Sequence, residues 1–140
     1  MFVQAFYFLL NLIKSKGRWK VMNDEVVSIG ANCVVRIGNR FFLLVEIEVE
    51  DIDLEEFVFI RISEREFRTL IRAGVQRCTI SDRIPRNNAE FICVLIENGR
   101  AFLVFDVENN EDEAVLVRIS LTRAEELIRR GAMRCTVINR

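Results

Sequence analysis

VFIRISEREFRTLIRAGVQRCTISDR, residues 58–83, and VLVRISLTRAEELIRRGAMRCTVINR, residues 115–140, are two versions of one segment. Placed at a constant offset they share Val58/Val115, Arg61/Arg118, Ile62/Ile119, Ser63/Ser120, Leu70/Leu127, Ile71/Ile128, Arg72/Arg129, Gly74/Gly131, Arg77/Arg134, Cys78/Cys135, Thr79/Thr136 and Arg83/Arg140. Twelve identities in twenty-six positions stand against about two expected from ordinary composition. The segment reads as strand, helix, glycine, strand. In the first version Ser63-Glu64-Arg65-Glu66 is a capping box, in which the Ser63 hydroxyl accepts from the Glu66 N–H and the Glu66 carboxylate reaches back. Phe67, Leu70 and Ile71 follow at helical spacing, Glu64 and Arg68 are placed to pair outside, and Gly74 ends the helix.

Working upstream, Val26–Ile37 alternates in strand fashion, with Cys33, Val35 and Ile37 on one face. Gly38-Asn39 reads as a two-residue hairpin turn into a second strand, Phe41–Glu50, and an acidic loop, Asp51–Glu56, leads into a third strand that is apolar on both faces. The same plan recurs at an offset of 60, with Cys93 for Cys33, Arg100 for Arg40, Phe102 for Phe42, and Asn98-Gly99 as the turn. Three residues are lost in the acidic loop of the second version. Val75–Asp82 and Ala132–Asn139 are the closing strands, and residues 84–89, with the only proline (Pro85), form the linker.

The expected fold class is therefore α+β: a tandem duplication of a β-β-β-α-β unit with pseudo-two-fold symmetry, unit one at 22–83 and unit two at 90–140, sharing one domain. Within a unit the crossover makes the last strand parallel to the third if both lie in one sheet. A sheet covered by a helix on one face needs an apolar surface on the other, which the twin unit supplies. Two arrangements satisfy this, stacked sheets with outer helices or a single barrel. The plan resembles that of a double-psi-type barrel, also built from two similar halves with strand-helix-Gly-strand segments. Gln76-Arg77 and Met133-Arg134 stand here where that family carries a glycine-aspartate step.

Residues 1–21 differ in composition from the rest. They hold all three lysines, the only Trp and Tyr, and no acid, for a charge of +4, whereas the remaining 119 residues carry sixteen Arg against twenty-one acids, a charge of −5. Phe2–Ile13 is too short to span a bilayer, so as a genuine leader it would lie on a membrane or pack on a partner. Alternatively, Gly17-Arg18-Trp19 can be encoded by a purine-rich sequence of the bacterial ribosome-binding type, in which case residues 1–21 are a translated upstream region and the true start is Met22. Membrane contact is expected only if residues 1–21 are genuine.

Candidate chemistry is sparse. Histidine is absent, which removes the commonest general base and metal ligand. The four cysteines stand singly on strands, without the close pairs of a zinc knuckle, so they read as buried, reduced thiols, with an intra-unit disulfide or a metal as the alternatives. A reducing cytoplasm follows from that reading, and no cofactor or metal is expected. Of the arginines, Arg61, Arg118, Arg77 and Arg134 recur in both versions and are the candidate ligand-binding residues for an anion held between the units, against the plainer reading of surface ion pairs. The alternating acids Glu46, Glu48, Glu50, Asp106 and Glu108 read as solvated strand faces. A net charge of −1 and aromatics in core positions give no reason to expect nucleic-acid binding. The expected function is a non-enzymatic interaction or assembly module, partnered by itself or another protein, with an anion-binding regulatory domain as the alternative. Phe57, Phe59 and Leu116 add a second apolar face to the third strands; stacking of the two units buries it, or whatever remains exposed forms the patch for association.

Overall fold

The computed structural model describes residues 18–21, 25–49, 54–86, 88–108 and 112–140. The Phe2–Ile13 segment, the Met22 start and the centres of both acidic loops lie outside them. The strands are β1 (Arg18–Val21), β2 (Glu25–Ile37), β3 (Arg40–Val49), β4 (Leu54–Ile62), β5 (Thr79–Ser81), β6 (Ala89–Glu97), β7 (Arg100–Glu108), β8 (Asp112–Ile119) and β9 (Thr136–Ile138). Two helices, α1 (Glu64–Arg72) and α2 (Leu121–Arg129), follow β4 and β8. No helix among the described residues is long and apolar enough to cross a membrane.

Local chemistry explains the helices. Ser63 and Glu66 form the reciprocal capping box, and Glu64 pairs with Arg68 at 3.1 Å. Ser120 caps α2 by accepting from the Arg123 N–H, and with arginine at the third helical position the return half of the box is missing. Gly74 and Gly131 adopt φ of 99° and 104° directly after the helices, a left-handed turn that a Cβ would oppose.

The strands form a five-stranded sheet in the order β1-β2-β3-β4-β9 and a four-stranded sheet in the order β5-β8-β7-β6. The α+β class stands, and the closing strands decide the architecture. Neither returns to the third strand of its own unit. β5 pairs in parallel with β8, and β9 pairs in parallel with β4, in matching registers: Thr79 opposite Val115 and Thr136 opposite Val58. Both closing strands are three residues long, shorter than the sequence pattern suggests, because the chain just before each is held elsewhere. Val34 N–H donates to the Gln76 carbonyl and Cys78 N–H to Val34, while Val94 N–H donates to Met133 and Cys135 N–H to Val94. Each crossover therefore touches the first strand of its own unit through one residue, then continues into the other sheet.

No barrel is closed, and this excludes the single-barrel alternative. A single bridge residue at each seam, Arg77 on Val34 and Arg134 on Val94, is too little pairing to make the two sheets continuous. The sheets stack instead. Cys33, Val35, Ile37, Phe42, Leu44 and Phe59 from one meet Cys93, Leu95, Phe102, Val104 and Leu116 from the other in a shared core. Alternation sends the intervening residues to the outer faces. There Phe67 and Leu70 of α1 cover Val34, Leu43 and Val45, and Ala124 of α2 covers Val94 and Ala101.

The seams correct the reading of the cysteines. Cys33 is bonded to Cys78 and Cys93 to Cys135, leaving no free thiol. The cause is the bridge. Pairing Arg77 alongside Val34 makes Cys33 and Cys78 diagonal neighbours that both face the core, and the same holds around Val94 and Arg134. The isolated-thiol reading fails because strand spacing along the chain says nothing of which strand a crossover will touch. It takes with it the argument for a reducing compartment.

One asymmetry lies beside the bonds. Both first strands carry a bulge one residue before the cysteine, at Asn32 in β2 and at Ile92 in β6. Asn32 is buried, and its Oδ1 accepts from the Ala114 N–H at 3.0 Å, fastening the bulge of one sheet to β8 of the other.

Candidate functional site

The face that the sequence offers for association is internal. Phe59 and Leu116 are completely buried between the sheets, and Phe57 packs against the same core. Large apolar side chains surface elsewhere, most of all at the seam between β6 and the segment leading into β9. Met133 is 71% exposed and Phe91 41% exposed, and both line a groove of about 400 Å³.

The fold builds this groove from strand ends. β6 is the terminal strand of its sheet and β9 of the other. The bridge at Val94 holds the two together at one point only. Below it the strands diverge, so Glu90–Cys93 and Met133–Thr136 form opposite walls and the start of β4, at Glu56 and Phe57, contributes the end. Phe91 lies outside the buried run Cys93-Val94-Leu95, on the far side of the bulge, and rests edge-on against Phe105 with ring centres 5.7 Å apart. Cys93 and Cys135, joined, lie in the lining. Glu56, Glu90 and Arg134 bring charges of both signs to the same lining.

The four recurring arginines do not come together in one cavity. Arg134 lines the groove just described. Arg118 lines a second cavity of about 370 Å³ with Arg100 at the ends of β7 and β8, and is paired there with Asp82 at 3.0 Å. Arg77 lines a third on the outer face of α1, with its guanidinium 5.6 Å above the Phe67 ring. Arg61 is half-buried on β4, opposite Phe42 in register. Among the arginines, Arg40 joins the two units most directly, through an ion pair with Glu97, whose side chain is 10% exposed. Arg140 reaches Glu66 at 2.8 Å, so a residue of unit two also fastens the capping box of unit one.

Among the described residues no group of three acid or cysteine side chains is placed to hold a metal ion. The seam groove offers an apolar lining, charges of both signs and a strand edge that, among the described residues, is bridged only at Val94. These suit recognition of an extended chain. Met133 and Phe91 were not singled out by sequence reasoning. The available signal was the adjacent charge: Met133 and Arg134 are consecutive exposed residues, and Phe91 sits one residue outside the Cys93–Leu95 alternation. Comparison with protein-family models, with curated proteins and with solved structures finds no match.

Proposed function

We propose that the chain is a non-enzymatic protein-interaction module that associates with a second copy of itself through the groove between β6 and the Met133–Thr136 segment. The supporting observation is the coincidence of exposed apolar side chains, Met133 and Phe91, with the terminal strand β6, whose outer edge is bridged among the described residues at Val94 and not along Ala89–Ile92. A strand laid along that edge gains main-chain hydrogen bonds and covers the apolar lining. A two-fold pairing needs a self-complementary surface, and Glu90 with Arg134 supplies opposite charges for it.

The two units are read as a tandem duplication related by a pseudo-two-fold axis. Recurrence of the bulge, the bridge, the disulfide and the exchanged closing strand supports this. A chain without histidine, whose four cysteines are consumed in disulfides, is short of nucleophiles and proton carriers, in keeping with binding and not turnover. Two disulfides per chain favour an oxidising setting over the cytoplasm.

Light scattering on eluting protein tests the reading. The expected wild-type mass is at least twice that of the chain, falling to one chain in Phe91→Glu/Met133→Glu with an unchanged circular dichroism melt. A wild-type monomer at high micromolar concentration, or an oligomer that survives the double substitution, overturns it.

A further inference from the structure

Helix α1 carries on its outer side a groove of about 620 Å³ that the assembly reading does not use. Four guanidinium groups line it, those of Arg36, Arg68, Arg72 and Arg77, against a single acid, Glu64. That acid is already engaged by Arg68 at 3.1 Å. Arg36, Arg72 and Arg77 have no carboxylate partner among the described residues; the same holds for Arg61, Arg65, Arg83, Arg100, Arg129 and Arg134, and what distinguishes these three is that they converge with Arg68 on one groove.

Two of the three are also held in place. The Arg36 guanidinium lies 5.7 Å above the Phe41 ring and its Nε donates to the Gly38 carbonyl at 2.9 Å, while Arg77 lies 5.6 Å above Phe67. The rings support each other, with centres 4.9 Å apart. Cation–π contact of this kind fixes a long side chain before a ligand arrives, so less rotamer entropy is lost on binding. The arrangement belongs to unit one alone. At the aligned positions of unit two, Arg36, Phe41, Phe67 and Arg68 are replaced by Ile96, Ala101, Ala124 and Glu125. Packing against the sheet needs only small residues there, as Ala124 and Ala101 demonstrate by filling the equivalent contact. The arginine-phenylalanine ladder is thus more than the helix requires to dock.

We propose that this groove binds a compact polyanion bearing phosphate groups, of nucleotide size, within unit one and not between the units. Guanidinium forks match phosphate oxygens in pairs, and the cavity volume falls within the usual range of small-ligand sites. Because both rings are capped by arginines and Phe67 is buried, no aromatic face is left for a base to stack on. Recognition therefore rests on the phosphates and is indifferent to the base.

Calorimetric titration with inorganic tripolyphosphate, and in separate arms with ATP, GTP and a single-stranded oligonucleotide, tests this in low salt. The expected result is comparable affinity for tripolyphosphate and both nucleotides. A loss of at least tenfold is expected in Arg36→Ile/Arg77→Gln, and a several-fold loss in Arg36→Lys/Arg77→Lys, which keeps charge but not the fork. Arg130→Gln, at the C-terminal end of α2 and outside the groove, should bind as wild type does. All three substituted side chains are exposed, so circular dichroism should show each variant folded. Absence of tripolyphosphate binding overturns the proposal, as does binding that the Lys variant retains in full or that Arg130→Gln weakens equally. Oligonucleotide binding without tripolyphosphate binding overturns it in favour of a nucleic-acid surface.

Discussion

Breaking the disulfides is the perturbation that most directly checks the interlocked fold. The bonds Cys33–Cys78 and Cys93–Cys135 close separate, non-overlapping loops, with sequence separations of 45 and 42. In the chain-entropy account each such loop withholds about 13 cal/mol/K from the unfolded state, or about 4 kcal/mol near room temperature. The two together contribute on the order of 8 kcal/mol, comparable with the whole stability of an ordinary domain, about 5–15 kcal/mol. Comparing oxidised with fully reduced wild type isolates this term, since no atoms are removed from the core. With Cys33→Ala/Cys78→Ala, one bond remains, and the melting temperature should fall by about 14 °C. Full reduction should lower it by roughly twice that, or unfold the protein. Thiol counting in guanidinium before reductant should find none of the four cysteines reactive, and all four afterwards. Four free thiols at the first step, or oxidised and reduced melts that coincide, would refute the seam geometry.

Two further outcomes follow from the packing. Phe59 is completely buried between the sheets, so Phe59→Ala should cost about 3–5 kcal/mol in denaturant unfolding without lowering the oligomeric state of whatever remains folded; a change in assembly at unchanged stability would place that face outside. Asn32→Ala should cost about 1–3 kcal/mol by leaving the buried Ala114 N–H without its acceptor, and should speed hydrogen exchange at Ala114 specifically. Unaltered exchange there would show that the bulge is not fastened in this way.

Much of the fold was legible because it is written in short-range pattern. Alternation placed Cys33, Val35 and Ile37 on one face of β2, and the structure buries all three in the inter-sheet core. The capping box at Ser63 and Glu66 was readable because its partners are three residues apart, and Gly74 and Gly131 because a helix stop needs positive φ. The functional surfaces were less legible. Phe57 and Phe59 looked like an offered face only while the position of the other sheet was unknown. Phe41 and Phe67 looked like core residues, and they pack against the core, but each also carries an arginine, Arg36 from across the β2–β3 hairpin and Arg77 from just beyond the end of α1.

The sequence by itself determined most of the strands, the two helices and their caps, because these depend on contacts within a few residues and on periodicity. Only the tertiary structure decided that β5 joins β8 and β9 joins β4, that the cysteines pair, and that Arg36 and Arg77 come to line one groove with Arg68 and Arg72 of α1. Those outcomes depend on where a crossover lands. A parallel strand fits equally well beside either third strand by local pattern, since Val58 and Val115 head the same segment. The choice between them is made by the two sheets closing over one core, and the position of every seam residue follows from it.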